Sequence, residues 1–426
     1  MTGRLLLLVE SNTTGTGRQF AQRAVEAGFE PVLLAADPGR YPYAAEDGLS
    51  TVTVDTADPA ALWRAVRELA RTAPVAGVLS SSEYFVATAA EVAARLGLPG
   101  PSAESVRTCR DKARQRRLLD DAGVPVPGYK DVGGVRQAVA VASVLGLPVV
   151  VKPVQGSGSL GVRLCTTLRQ VAAHAGELLA AGVNERGLAA PSRILVESYL
   201  SGREFSVEVV GRRAVAVVAK HVGPPPVFVE TGHDLPAALP AAQRAALTAC
   251  AEHAVRALGL GWGAAHVELR MDRGTPRVIE VNPRLAGGMI PELVRHAYGI
   301  DLVAAQIRAA VGEPVEPVPS REAGASIRFL TADADGFLGT AEAVGTAVSR
   351  ARAIPGVTDA ALYRAPGSAV APAEDFRGRL GHVIATAPDA DRSAALADEA
   401  LARLATALLP ARPGAPGDPS TLKEAA

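Results

Sequence analysis

The apolar positions of the first hundred residues fall in short, dense blocks. Residues 5–9 (LLLLV) form an unbroken run, and 31–35, 51–54 and 75–79 follow in the same manner. Such runs, without polar alternation, are expected of parallel strands covered on both faces. Between them, 15–27, 59–71 and 83–96 carry apolar residues at the spacing of a helix buried on one side, and Gly97 stops the last. The alternation predicts a doubly wound α/β domain over 1–104. The loop NTTGTG at 12–17 lacks the full glycine spacing of a dinucleotide fingerprint, and no phosphate-binding lysine follows it. It reads as a tight turn before a helix, at the strand ends where a substrate cleft can form.

Beyond residue 104 the pattern changes. Segment 104–122 reads as one helix, ended by GVPVPG at 123–128. LPVVVKP at 147–153 is a short buried strand that ends in a lysine. A glycine- and serine-rich loop follows to residue 162, and 162–165 resumes a strand. A helix is expected over 175–186, then strands at 194–200 and 204–210. Segment 220–236 reads as an irregular connection, and 240–258 as an amphipathic helix. The stretch 264–290, AAHVELRMDRGTPRVIEVNPRLAGGMI, has two alternating runs around a turn at 272–276, the signature of a hairpin. A helix over 291–311 closes this region. Strands at 325–331, 357–363 and 378–385, with helices at 346–353 and 393–409, predict a small C-terminal α+β domain over 313–410, and 411–426 is expected to be a disordered tail.

Composition narrows the field. The 426 residues suffice for two or three domains with their own cores. The 44 basic and 44 acidic residues balance, so no field for a nucleic acid is evident. Three scattered cysteines, Cys109, Cys165 and Cys250, suit neither a disulfide framework nor a zinc site. The longest apolar runs fall well short of the roughly 18 residues a membrane span needs. The N-terminal run reads as a strand rather than a signal peptide, and the cytoplasm is the expected location.

The hairpin carries the most specific chemistry. If Met271 lies opposite Arg277 across the turn, Glu268 faces Glu280 and His266 faces Asn282. Glu268, Glu280 and Asn282 then share one face. Opposed carboxylates repel unless a cation lies between them or one is protonated. With an amide oxygen beside them, the set is all hard oxygen and suits Mg²⁺. Arg284 adds a cation, and Gly287–Gly288 allows a close backbone approach. Lys152 beside the Gly156–Gly161 loop is a recurrent phosphate device. Glu197, at a strand end, can take an adenine amino group or a ribose hydroxyl. Glu230 and His233 can receive a substrate ammonium group and its proton, or simply make local hydrogen bonds. Lys112, among other cations, is either a solvated basic residue or part of the site.

Taken in order, Lys112 on its helix, VVVKP at 149–153, GSGSLGV at 156–162, VESYLSGREFSVE at 196–208 and HVELR…RVIEVNPRLAGG at 266–288 resemble the ATP-grasp superfamily. The resemblance implies a pre-ATP-grasp α/β domain over 1–104, an ATP-grasp core over 105–312 with its lid at about 124–210, and the C-terminal domain. It implies that Lys112 and Lys152 bind ATP phosphates and that Gly156, Ser157, Gly158 and Gly161 belong to the lid loop. Glu197, Tyr199 and Leu200 would form the adenine hinge, and Glu204 would meet the ribose. Glu268, Glu280 and Asn282 would hold Mg²⁺, or Mn²⁺ in its place. Arg284 would meet the transferred phosphate or the substrate carboxylate. The chemistry so implied is transfer of the ATP γ-phosphoryl group to a carboxylate, then capture of the acyl phosphate by an amine, releasing ADP and phosphate. No nucleophilic side chain is required.

VNPRLAGGMIPELV and FVETGHDLPA are most similar to ligases that join L-amino acids, which implies amino-acid substrates, Glu230 and His233 near an amino group, and room at Gly288 for a donor side chain. A homodimer is common in similar folds, and neither a nucleic acid nor a membrane is an expected partner. The rival within the superfamily is a biotin-carboxylase-like or purine-pathway ligase acting on bicarbonate or formate, with which RGRLGHVIAT at 378–387 is compatible. A catalytically silent nucleotide-binding protein and an oxidoreductase are the rivals of other classes. The retained carboxylates and lysines argue against the first, and the incomplete fingerprint against the second.

Overall fold

The structure is a computed structural model that describes residues 3–12, 16–156, 158–183 and 191–410. Ser157 and the tail 411–426 lie outside the described residues. The N-terminal strands β1 (Arg4–Val9), β2 (Phe29–Ala35), β3 (Ser50–Thr53) and β4 (Val75–Leu79) form a parallel sheet in the order β3-β2-β1-β4. Leu5 to Val9 are all buried, as the unbroken apolar run predicts for a strand covered on both faces.

The single helix expected over 104–122 is two helices, Ala103–Arg110 and Lys112–Asp121. Asp111 adopts an extended backbone between them, and its carboxylate accepts from the N–H groups of Ala113 and Arg114. An aspartate that caps the next turn starts a helix rather than continuing one. The helix expected over 291–311 is likewise two, Ile290–Tyr298 and Leu302–Ala310. Gly299, at φ +70°, ends the first, and Asp301 caps the second.

A four-stranded antiparallel sheet follows, built from β5 (Tyr129–Val132), β6 (Val149–Pro153), β7 (Arg163–Cys165) and β8 (Ile194–Ser198) in the order β5-β8-β6-β7. Its flanking helix runs from Leu168 to Ala180, earlier than the expected 175–186, because Thr167 and Gln170 make a reciprocal capping box.

The central sheet has eight strands and no break at residue 313. It is built from β9 (Glu204–Val210), β10 (Arg213–Val222), β11 (Glu230–Leu235), β12 (Ala264–Asp272), β13 (Thr275–Asn282), β14 (Gly324–Leu330), β16 (Val357–Leu362) and β18 (Gly381–Ala387). The order is β13-β12-β9-β10-β11-β14-β18-β16. Segment 220–236 is therefore not an irregular connection. It is the end of β10, a short loop and β11, and each strand hydrogen-bonds neighbours on both sides. A small sheet of β15 (Gly336–Leu338), β17 (Ala369–Val370) and β19 (Leu408–Pro410) completes the C-terminal region. The helices there are Ala341–Arg352, longer than expected because Thr340 caps it, and Ala390–Ala405.

Candidate active site

Two irregularities in the central sheet decide what faces the cleft. In the β12–β13 hairpin the turn is only Arg273–Gly274, both at positive φ (49° and 82°), the tight turn whose twist matches its flanking strands. Met271 therefore lies opposite Pro276, not Arg277 as expected, and Arg270 lies opposite Arg277. An unbroken ladder from that turn would set Glu280 beside Val267, which is fully buried. A bulge at Ile279 shifts the register by one residue, so that Glu268 faces Glu280 and His266 faces Asn282 after all. In β11 a bulge at Thr231 does the same. Lys220 lies opposite His233 and Val222 opposite Glu230, so Glu230 and His233, three apart, reach one face.

Neighbouring strands then line up their charged residues on that face. Arg270 and Lys220 flank Glu204, Ser206 lies opposite Glu268, and Glu208 lies opposite His266. Lys220 is the hub. Its buried ammonium lies 2.6 Å from Glu230, 3.0 Å from Glu268 and 3.1 Å from Glu204. Burial opposes that charge, but the three carboxylates hold the Lys220 pKa well above its ordinary value. For Glu230 the outcome is the reverse. Burial acts to raise its pKa, while Lys220 and Arg379 hold it well below the ordinary carboxylate range. His266 bonds Glu208 at 2.8 Å and Glu268 at 3.0 Å, and these acids outweigh burial to raise its pKa to about 9. His233 lies on the same face, yet neither of its ring nitrogens has a hydrogen-bond partner among the described residues. Burial lowers its pKa to about 3.

The lysines approach from the other side of the cleft. Lys112 is buried rather than part of a solvated face. Its ammonium lies 3.0 Å from Glu280 and donates to the Gly156 carbonyl at 3.0 Å, so it ties the glycine loop to the hairpin. Lys152, at the end of β6, lies 2.5 Å from Glu197, and burial lowers its pKa. Glu197 also accepts from Arg116 at 2.6 Å; burial acts to raise its pKa, but the two cations together lower it. Arg284 reaches into the N-terminal domain, where it donates to Glu83 at 2.5 Å, and Arg110 pairs with the same carboxylate. Arg270 holds Glu204 at 2.9 Å and donates to the Leu200 carbonyl at 2.7 Å, with its guanidinium beside the rings of Tyr199 and Phe228.

These groups surround one cleft between the four-stranded and eight-stranded sheets. Its lining includes Lys112, Lys152, Gly156, Gly158, Glu197, Tyr199, Leu200, Glu204, Glu230, Glu268, Glu280, Asn282 and Arg284. Gly161 and His233 stand outside it. The Gly161 carbonyl bonds His174 at 2.9 Å, and His233 lies behind Glu230 against Gly288, where any Cβ would come within 2.6 Å of its Nε2. Sequence reasoning missed Lys220, Arg116, His266 with Glu208, Arg270 and Glu83. Lys220 carried a usable signal, since VAVVAK at 215–220 is an apolar run ending in lysine, as VVVK is at 149–152. Arg116 looked like any cation on a basic helix.

Among the described residues, no group of three His, Cys, Asp or Glu side chains is placed to hold a metal ion. The hairpin instead offers two opposed carboxylates and an amide, with Lys220 and Lys112 offsetting the repulsion between the acids. All are hard oxygen donors, which fits a small divalent ion such as Mg²⁺.

Comparison with known proteins agrees with this geometry. Residues 145–292 match the family model of the ATP-grasp domain, 21–100 the ATP-grasp N-terminal domain, and 328–408 the L-amino acid ligase C-terminal domain 2. The chain is 38% identical over 385 residues to Uncharacterized protein y4rH of Sinorhizobium fredii, covering 90% of this chain and 79% of that one. It is 35% identical over 263 residues to Carnosine synthase 1 of Gallus gallus, covering 58% of this chain but only 28% of the longer relative. Its fold superposes on that of L-amino acid ligase from Bacillus licheniformis with a TM-score of 0.78 at 21% identity, over 96% of this chain and 99% of the other. The chain therefore belongs to the ATP-grasp superfamily, among its ADP-forming carboxylate–amine ligases.

Proposed function

We propose that the cleft joins the carboxylate of one amino acid to the amine of another through an acyl phosphate. The observation that carries this reading is the opposed pair Glu268 and Glu280, with Asn282 on the same face, across from Lys112 and Lys152 in a single cleft. Glu268, Glu280 and Asn282 would hold Mg²⁺ or Mn²⁺, which when bound neutralises charge on the phosphates and on the group in transfer.

The remaining work falls to side chains. Lys112 exchanges Glu280 for a phosphate oxygen, and Lys152 does the same from Glu197, so the nucleotide enters a site whose charges are already paired. The glycine loop from Gly156 presents backbone N–H groups to the phosphates and covers the acyl phosphate against water. Glu197, Tyr199 and Leu200 border the adenine, and Glu204 the ribose. Arg284 leaves Glu83 for the carboxylate or for the phosphoryl group it receives. Glu230 takes the ammonium group of the substrate. His233, buried behind Glu230 and outside the cleft, backs the ammonium-binding carboxylate rather than taking the proton of the attacking amine.

Names among the relatives support this reading of the substrates, since L-amino acid ligase and D-alanine--D-alanine ligase each specify an amino-acid substrate. The test is a screen of amino-acid pairs for ADP formation with product mass as the second readout. The expected result is ADP that requires both amino acids and a product of their summed mass less one water. ADP formation that instead requires bicarbonate or formate, and ignores amino acids, would overturn the assignment.

A further inference from the structure

The turn that precedes β18 touches both halves of the cleft. Residues Phe376–Gly378 form a single 3₁₀ turn, held by Asp375, whose carboxylate accepts from the backbone and side chain of Arg377. From this turn Arg379 reaches across β14 to β11. Its Nε donates to the Glu230 carbonyl at 3.0 Å and a terminal nitrogen donates to the Glu230 carboxylate at 2.8 Å. On the way its guanidinium covers the ring of Phe329 at 4.0 Å from the centroid, and that ring packs edge-on against His233. Glu230 is thus gripped twice by one side chain, through its backbone and through its carboxylate.

At the other end of the same turn, Phe376 is exposed, an unusual place for a large apolar residue. Its ring lies on Gly158 of the glycine loop, so close that a Cβ at residue 158 would collide with it. Gly158 adopts φ +63°, a conformation that glycine favours.

We propose that Arg379 is a positioning residue for the amine-binding carboxylate of Glu230, and that through Phe376 the C-terminal region holds the glycine loop in register with it. This rests on the assignment of Glu230 to the substrate ammonium group. Arg379 does not line the cleft, so it acts through Glu230. Lys220 takes one carboxylate oxygen and Arg379 the other, which fixes the plane of the carboxylate while leaving lone pairs for a further donor. The loop that covers the acyl phosphate and the carboxylate that admits the amine then move as one unit, so loop closure and amine capture coincide.

The test uses the full chain with the amino-acid pair that supports ADP formation. For Arg379→Gln we expect the KM of the amine-bearing amino acid to rise at least tenfold, the KM of ATP to stay within about twofold, and Arg379→Lys to recover part of the loss. For Phe376→Ala we expect more ADP per product, because the uncovered acyl phosphate meets water. Unchanged KM values in Arg379→Gln, or equal rises in both, would overturn the proposal, as would an unchanged ADP-to-product ratio in Phe376→Ala. If Arg379→Gln does not fold, Arg379→Lys decides by the same split. Absence of amino-acid-dependent ADP formation in the unaltered protein is a separate result, which refutes the substrate assignment itself.

Discussion

His233 illustrates how a single residue can be tuned by what surrounds it. It is fully buried, with both ring nitrogens unpartnered among the described residues and Glu230 at 3.6 Å. Burial lowers its pKa from 6.5 to about 3, so the folded chain keeps the ring neutral where the unfolded chain protonates it. The sign of the linkage follows. Above pH 6.5 both states are neutral and the contribution is complete. Between 6.5 and about 3 the unfolded state binds the proton first, and stability falls with pH. Urea midpoints of the unaltered protein should therefore fall more steeply over this range than those of His233→Phe, and the ring resonances should stay at their neutral shift to about pH 4. Parallel midpoint profiles would contradict the neutral assignment. The neighbouring His266 is tuned the opposite way by Glu208 and Glu268, although the two rings share one sheet face. Nothing in the local sequence separates them, because the difference lies in which strands pair.

At the scale of elements, most of the site was legible because strands alternate and glycine loops are conspicuous. Glu268 does face Glu280, and His266 faces Asn282, although the turn from which the pairing is counted is shorter than expected; the bulge at Ile279 offsets the error. Bulges have no composition of their own, so a residue count across a hairpin cannot foresee them. The same limit hid β11, where proline and glycine suggested a loop and the pairing of both edges made a strand. Helix breaks were missed where an aspartate caps from within a helical pattern. Asp111 is the consequential case, because it sets the start of the helix that bears Lys112 and also pairs with Arg193 at 2.7 Å. Removing the cap in Asp111→Ala should cost about 1 kcal/mol, by the usual worth of a capping side chain. It should also weaken ATP binding, because the Lys112 N–H is anchored to the Val154 carbonyl beside the glycine loop. A urea titration and an ATP titration check both, and unchanged values in the pair would show that the break is not set by Asp111.

Over the whole molecule, the eight-stranded sheet joins regions that the residue pattern separates. β14, β16 and β18 follow residue 313, yet they continue the sheet that carries the cleft face. Fold class and the order of units were readable from the alternation of apolar runs. The continuity was not, since it depends on β11 pairing with β14 across some ninety residues of intervening chain. One consequence is that charge balance in the cleft is distributed: Glu83 comes from the N-terminal domain, Lys152 from the four-stranded sheet, Lys220 from the central sheet and Arg379 from the turn before β18. In the reaction we propose, the paired charges share one task, to let a nucleotide activate a carboxyl group before an amine arrives. The most direct measurement of that task uses a carboxylate substrate labelled with ¹⁸O in both oxygens and follows the released phosphate by ³¹P NMR. When the amine attacks the acyl carbon, phosphate leaves with the bridging carboxylate oxygen, so phosphate carrying a single ¹⁸O is the expected product. Phosphate without label, formed at the same rate as the amide, would mean that the carboxylate is never phosphorylated.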